Sequence, residues 1–361
     1  MSDLTIQQNI SLQAYNTLAI DVQTRWFAQV TTDAELQDVL LFLQRQYLQE
    51  QSSQKPSQAQ CPLLVLGGGS NVVLVDDFVG LTIVLQTQGI QIENETDEQV
   101  FLSVAAGENW HNTVMHCVDN GWYGIENLAL IPGSVGAAPI QNIGAYGVEL
   151  TQILSYVEAI DLASGELIRL NNADCHFAYR DSIFKGELKD KVIITRVVLV
   201  LSKTPVWSLD YPALQEALAG HNRATLSSHT VANAVINIRN SKLPDPADIP
   251  NAGSFFKNPI VSQQCYERIQ QAYPKVVAFP VTSIPTGTLP APKATQVPIP
   301  KRVAGAVADT VVYIEPTGYT IALIAAASKA ATAVVTKAVV AACVVAGCGC
   351  CCCCFCCCCC C

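Results

Sequence analysis

A short apolar run, Pro62-Leu-Leu-Val-Leu66, leads straight into Gly67-Gly-Gly-Ser-Asn71, and a second apolar run, Val72-Val-Leu-Val75, follows at once. This order restricts the fold more than any other feature of the chain. A dinucleotide fingerprint of the Rossmann kind needs a helix directly after its glycines, with a third glycine packing that helix on the sheet. Here strand-like residues follow instead, so the loop joins strand to strand and a Rossmann domain is not expected. Two readings of the loop stay open from its residues alone. It is a plain hairpin turn, or its successive backbone N–H groups form an anion-binding concavity for a diphosphate.

Around this loop, helix and strand signals mix. Thr32-Asp-Ala-Glu35 has the form of a capping box, and Leu36, Val39, Leu40, Leu43 and Tyr47 then recur at helical spacing. The Gln/Ser/Lys/Pro stretch at 49–60 is expected to end that helix as an exposed loop. Strands are expected at 81–86, 100–105, 153–161 and 192–201, with a helix after Ala105-Ala-Gly-Glu-Asn-Trp-His111 that continues through Val118. The segment 124–147 holds Gly124, Gly133, Gly136, Gly144 and Gly147, with alanine at 129, 137, 138 and 145. Small residues at that density let backbone approach a large flat ligand, at an entropic cost that a bare core would avoid.

The 361 residues are 50% apolar and only 14% charged, enough for two or three cored domains. A formal charge of −9 with no Lys/Arg-rich run argues against a nucleic-acid surface, which needs clustered positive charge to release counterions. The opening residues lack the basic start and apolar stretch of a signal peptide, so a cytoplasmic protein is expected. Cysteine divides the chain. Cys61, Cys117, Cys175 and Cys265 suit a reducing compartment, whereas the other thirteen crowd between Cys343 and Cys361. These thirteen have neither the spacing of a disulfide framework nor a His or carboxylate partner, so no metal site is expected. From Ala338 onward 24 residues carry no charge, formally enough to cross a bilayer. We read them as a frameshifted, fused or artificial tail and expect no membrane partner.

Seven motifs in order then carry a specific resemblance. They are Asn16-Thr-Leu18, Leu66-Gly-Gly-Gly-Ser-Asn71, Ala106-Gly-Glu-Asn-Trp110, the segment 124–150, Tyr179-Arg-Asp-Ser-Ile-Phe-Lys185, Lys242-Leu-Pro-Asp-Pro246 and Asn251-Ala-Gly-Ser-Phe-Phe-Lys-Asn-Pro259. Over about residues 10–262 the chain resembles the UDP-N-acetylenolpyruvoylglucosamine reductases, flavoproteins of peptidoglycan precursor synthesis. The resemblance implies an α+β architecture: an FAD-binding fold of the vanillyl-alcohol oxidase type in two subdomains, followed by an α+β substrate-binding domain. On that basis residues 1–75 and 76–240 are expected to bind FAD, 241–318 to bind substrate, and 319–361 to form an Ala/Val/Cys-rich tail. A monomer is expected.

The resemblance also implies roles. Gly67, Gly68, Gly69, Ser70 and Asn71, with Gly133, Ser134, Gly136, Ala137 and Gly144, would wrap the FAD. None of the five histidines falls in either glycine loop, so the flavin is expected to be non-covalent. NADPH would reduce FAD, and the reduced flavin would pass hydride to the enolpyruvyl group of UDP-N-acetylglucosamine enolpyruvate. Arg180 would stabilise the charge that develops on the substrate carboxylate, a role suited to a bidentate, permanently charged guanidinium. Its plainer alternative is a surface arginine paired with Asp181. Ser254 would deliver the proton, a task in which geometry matters more than intrinsic acidity. Tyr179 would shape the pocket, Lys242 and Asn258 would hold the UDP part, and Tyr211 would close over the substrate. The alternatives are a solvated helix end for Lys242 and a packing aromatic for Tyr211.

Beyond about residue 262 the chain departs from this pattern. Lys301-Arg-Val-Ala-Gly-Ala-Val-Ala-Asp309 lacks the family's tryptophan, and Ile314-Glu-Pro-Thr317 has Thr317 where the family has a catalytic glutamate. Glu315 matches only a non-catalytic one. Two other functions therefore stand beside an active reductase: a flavin-binding relative impaired in turnover, and a flavin oxidase of the same fold.

Overall fold

The structure is a computed structural model and describes residues 5–52, 62–254, 258–274, 276–281 and 311–315. Thr317, the 301–309 stretch and the expected tail at 319–361 lie outside the described residues. The described residues divide into two compact units, one ending at Gly253 and the other beginning at Ser254.

The first unit opens with β1 (Gln7–Ser11), β2 (Gln23–Val30), α1 (Asp33–Ser52), β3 (Leu63–Leu66) and β4 (Phe78–Leu85). These strands form a sheet in the order β1-β2-β4-β3, in which β1 runs antiparallel to β2 while β2, β4 and β3 run parallel. Parallel neighbours need a crossover connection, and α1 supplies it between β2 and β3. Its capping box forms as the sequence indicates: Thr32 Oγ1 accepts the Glu35 N–H, and Glu35 Oε2 accepts the Thr32 N–H, both at 3.2 Å. Leu36, Val39 and Leu40 pack under the sheet against Trp26, Ala28, Leu81 and Ile83.

Two expectations need correction here. Residues 72–75 are irregular rather than a strand, and β3 and β4 are parallel, so the glycine loop is not a hairpin turn. A hairpin joins antiparallel strands, and β4 instead inserts between β2 and β3. The helix also continues past residue 49 to Ser52. Its Gln and Glu residues there are good helix formers, and no glycine or proline interrupts them.

A second sheet holds β5 (Ile90–Glu95), β6 (Gln99–Ala105), β9 (Leu154–Asp161), β10 (Leu167–Asn171) and β11 (Val192–Ser202) in the order β10-β9-β11-β6-β5, antiparallel throughout. Between β6 and β9 lie α2 (Trp110–Asp119), several single helical turns, and a short hairpin of β7 (Gly144–Ala145) and β8 (Val148–Glu149). After β11 come α3 (Pro212–Leu218) and α4 (Ser228–Lys242). Val100, Leu102, Val197 and Leu199 of this sheet bury themselves against Val114, Cys117 and Val118 of α2 and Val231 and Val235 of α4. Ile160 and Ile193 reach the other way, into the core of the first sheet.

The second unit contains β12 (Ile260–Ser262), α5 (Gln263–Ala272), β13 (Val277–Val281) and β14 (Val311–Glu315), with β14 central in an antiparallel sheet ordered β12-β14-β13. Ser262 caps α5 by accepting the Cys265 N–H at 3.3 Å.

Candidate active site

The two glycine loops expected to hold a cofactor face each other. A Cβ on Gly68 would stand 2.9 Å from Gly133 Cα, so the backbones touch where only glycine allows it. Gly69 has φ +60°, and its carbonyl accepts the Thr17 N–H at 3.1 Å. Asn71 Nδ2 then donates to Gln141 Oε1 at 3.0 Å, which ties the far end of the first loop to the second. The Ala106-Gly-Glu-Asn-Trp110 motif fixes the second loop from behind. Trp110 N–H donates to Gly133 O at 3.1 Å, Val135 N–H to Glu108 O at 2.9 Å, and Gly136 N–H to Ala106 O at 2.8 Å.

Between these loops opens a cleft of about 1090 Å³, at the upper end of the roughly 300–1,000 Å³ usual for ligand pockets. Of the ten residues expected at a cofactor, Gly67, Gly68, Gly69, Ser70, Asn71, Gly133, Ser134 and Ala137 line it. Gly136 sits behind the wall against Ala106, and Gly144 lies in β7 under the Arg180 side chain. Lys185, Lys189 and Lys191 line the same cleft together with Asp161 and Asp190. A cradle of close-packed glycine backbone with lysines among its lining residues fits a flavin dinucleotide with its diphosphate.

Arg180 adopts φ +53° in a tight turn closed by reciprocal bonds between Ala178 and Asp181. Its guanidinium donates to Asn142 O at 3.2 Å and to Gly144 O, so the small-residue segment holds the side chain, not Asp181. Tyr179 lies beside it, with its ring centroid 5.2 Å from the guanidinium carbon. Asn142, fully buried, organises this corner. Its Nδ2 donates to Glu149 Oε2 at 2.9 Å and to Ala178 O at 3.1 Å, and its Oδ1 accepts the Thr151 N–H at 3.0 Å. Burial raises the Glu149 pKa, against the opposing effects of the Arg180 charge and the Asn142 hydrogen bond.

A second guanidinium stands nearby. Arg239 Nε donates to Leu130 O at 3.1 Å, and its side chain hydrogen-bonds Tyr146. Burial holds its pKa below the usual guanidinium range; the Tyr146 contact opposes this, and the Arg180 charge reinforces it. His111 Nδ1 accepts the Leu130 N–H at 3.1 Å, and burial followed by the Arg239 charge lowers its pKa, which suits a neutral ring.

Tyr211 precedes Pro212 at the start of α3 and meets Tyr146 edge-on at 5.1 Å. Lys242 is the exposed last residue of α4. Asn251 is buried in the first unit. Its Nδ2 donates to Pro244 O at 3.1 Å and Ile249 O at 2.7 Å, and its Oδ1 accepts the Gly253 N–H at 2.9 Å. Ser254 and Asn258 belong to the second unit, where Ser254 is exposed and Asn258 half-buried. The first unit thus gathers Arg180, Tyr179 and Tyr211 around the 127–149 segment. Sequence reasoning missed Arg239, Asn142 and Glu149. The signal for Arg239 was its i, i+3 spacing before Lys242, which places both cations on one helix face.

These loops and their cleft define a flavin-binding protein. Residues 26–171 match the FAD binding domain family, and the cofactor is FAD. A UDP-N-acetylenolpyruvoylglucosamine reductase from Amoebophilus asiaticus is 43% identical over 76% of this chain and 77% of its own length. One from Shewanella sp. (strain MR-7) is 45% identical over 74% of each. A crystal structure of the enzyme of that kind from Thermus caldophilus aligns with TM-score 0.50 at 24% identity, over 71% of this chain and 76% of that one, and shares its fold. The chain belongs to the UDP-N-acetylenolpyruvoylglucosamine reductase family and is a flavoprotein oxidoreductase. Among the described residues, no helix is long and apolar enough to cross a membrane, and no cluster of side chains suits a metal ion.

Proposed function

We propose that this chain reduces UDP-N-acetylglucosamine enolpyruvate to UDP-N-acetylmuramate for peptidoglycan precursor synthesis, with NADPH as donor and non-covalent FAD. The facing glycine loops and their cleft carry the reading, because they supply the flavin cradle that a two-step hydride relay needs. Bound FAD supplies that relay, from NADPH to the enolpyruvyl double bond. Arg180 lies against the cleft-lining segment and takes the role of stabilising negative charge on the substrate carboxylate, with Arg239 as a second cation. Ser254 donates the proton that completes the reduction. Tyr179, Tyr211, Lys242 and Asn258 bind substrate. Residues 1–75 and 76–240 serve as the FAD-binding subdomains and 241–318 as the substrate domain.

Thr317 in place of a catalytic glutamate favours one second reading, a flavin-binding relative with impaired turnover. One assay separates the two. The purified chain is expected to show a flavin spectrum and to oxidise NADPH only when UDP-N-acetylglucosamine enolpyruvate is added. A flavin spectrum without substrate-dependent oxidation selects the impaired relative, and absence of flavin rejects both.

A further inference from the structure

We propose that Asn127 is a positioning residue for substrate binding: a buried clasp tying the strap that carries Tyr211 to the turn that carries Tyr146. The inference rests on the assignment of Tyr211 to the substrate site. The strap runs from Lys203 to Tyr211 without helix or strand. It starts where Lys203 N–H bonds to Glu98 O at 2.8 Å and ends at Pro212, the first residue of α3. Between those points it has no ladder to hold it, so side chains must do so.

Asn127 is 3% exposed and directs both amide protons outward from its helical turn. Its Nδ2 donates to Ser208 O in the strap and to Tyr146 O in the turn after β7, each at 2.8 Å. A primary amide is the side chain that offers two protons from one small atom, so a single residue closes both segments. The contacts on either side depend on that closure. Gly147 lies against the strap, where an added Cβ would sit 3.1 Å from Ser208 Oγ. Trp207 meets Tyr123 edge-on at 5.4 Å, and Tyr211 meets Tyr146 edge-on at 5.1 Å. Tyr146 in turn holds Arg239. Both amide hydrogen bonds of Asn127 go to backbone, and they join the strap that presents Tyr211 to the turn whose Tyr146 ring packs against it. Without it, two part-buried carbonyls lose their donor and the strap loses its central anchor.

The test is a double-mutant cycle between Asn127→Asp and Tyr211→Ala in the full-length, FAD-loaded chain. Aspartate keeps the volume, removes both donors and sets a carboxylate against the two carbonyls. The expected result for Asn127→Asp is an unchanged flavin spectrum and a KM for UDP-N-acetylglucosamine enolpyruvate raised about tenfold, the loss of one to two part-buried hydrogen bonds. Flavin reduction at saturating NADPH, followed by stopped flow, should stay within about twofold. In the Tyr211→Ala background the same substitution should add little, because its effect passes through Tyr211. If Asn127→Asp loses its flavin, Asn127→Ser, which keeps one donor, enters the same cycle. A KM moved by Tyr211→Ala but not by the Asn127 variants, or effects that simply add, overturns the clasp. A KM unmoved by Tyr211→Ala overturns the assignment of Tyr211 first, and the clasp's role with it.

Discussion

Arg180 occupies a left-handed backbone position and still reaches two carbonyls of the segment that lines the flavin cleft. Such a position is costly for a side chain with a Cβ, and it persists where surrounding structure over-determines it. A lysine there would supply charge without the planar fork. Arg180→Lys is therefore expected to keep the flavin spectrum while kcat falls about 10²-fold, within the range for loss of an oriented charge stabiliser. Steady-state kinetics with flavin absorbance as the folding control check this. Glu126 gives a residue-scale prediction of another kind. It is 1% exposed, its Oε2 accepts the Gly124 N–H at 2.8 Å, and burial pushes its pKa from 4.5 up to about 7. A carboxyl whose folded pKa is raised holds its proton more tightly folded than unfolded. Its contribution to stability is complete below pH 4.5 and is lost as pH rises to about 7. Thermal unfolding of the native chain should show a decline across that window. Glu126→Gln, which keeps an acceptor for Gly124, should flatten the decline by up to about 3 kcal/mol. An equal slope in both proteins would remove Glu126 as its source.

The glycine loops act as elements, through backbone rather than side chains. Gly68→Ala would drive a Cβ to within 2.9 Å of Gly133 Cα, and backbone on both sides has no rotamer to yield. Separating the loops should weaken FAD binding about tenfold or more, since overpacking typically costs about 1–3 kcal/mol. Fluorescence titration of the apoprotein with FAD measures it. The existence of these elements was legible in the sequence. The capping box at Thr32 forms, the strands at 81–86, 100–105, 153–161 and 192–201 have counterparts in β4, β6, β9 and β11, and eight of ten expected cofactor residues line one cleft. What failed to show were facts of pairing. Local alternation is the same whether a strand pairs parallel or antiparallel, so the insertion of β4 between β2 and β3 had no local signature. Asn127 and Asn142 were hidden for the same reason. Each bonds to carbonyls from segments distant in sequence, and a buried asparagine looks like a turn residue until those partners arrive.

At the scale of the molecule, the described residues that line the flavin cleft all belong to the first unit, whereas Ser254, Asn258 and the strand before Thr317 belong to the second. The cofactor cleft and the Ser254–Asn258 segment can therefore change separately. Within the second unit, β12 pairs with β14 in a register of Ser262 with Val311, Val261 with Val312 and Ile260 with Tyr313. As β14 advances toward Glu315, β12 runs back toward Pro259 and Asn258. The family carboxylate falls two residues after β14, where this chain has Thr317. A threonine hydroxyl cannot supply a titratable acid near neutral pH, so protonation would rest on Ser254 alone. Restoring the carboxylate by Thr317→Glu should raise kcat about a hundredfold, the lower end of what a positioned acid contributes. It should also add a limb to the pH–rate profile while the flavin spectrum and the rate of flavin reduction by NADPH stay as they were. Faster flavin reduction would place the effect in the wrong half-reaction. An unchanged kcat with an unchanged pH profile would show that a carboxylate at 317 does not take part in turnover.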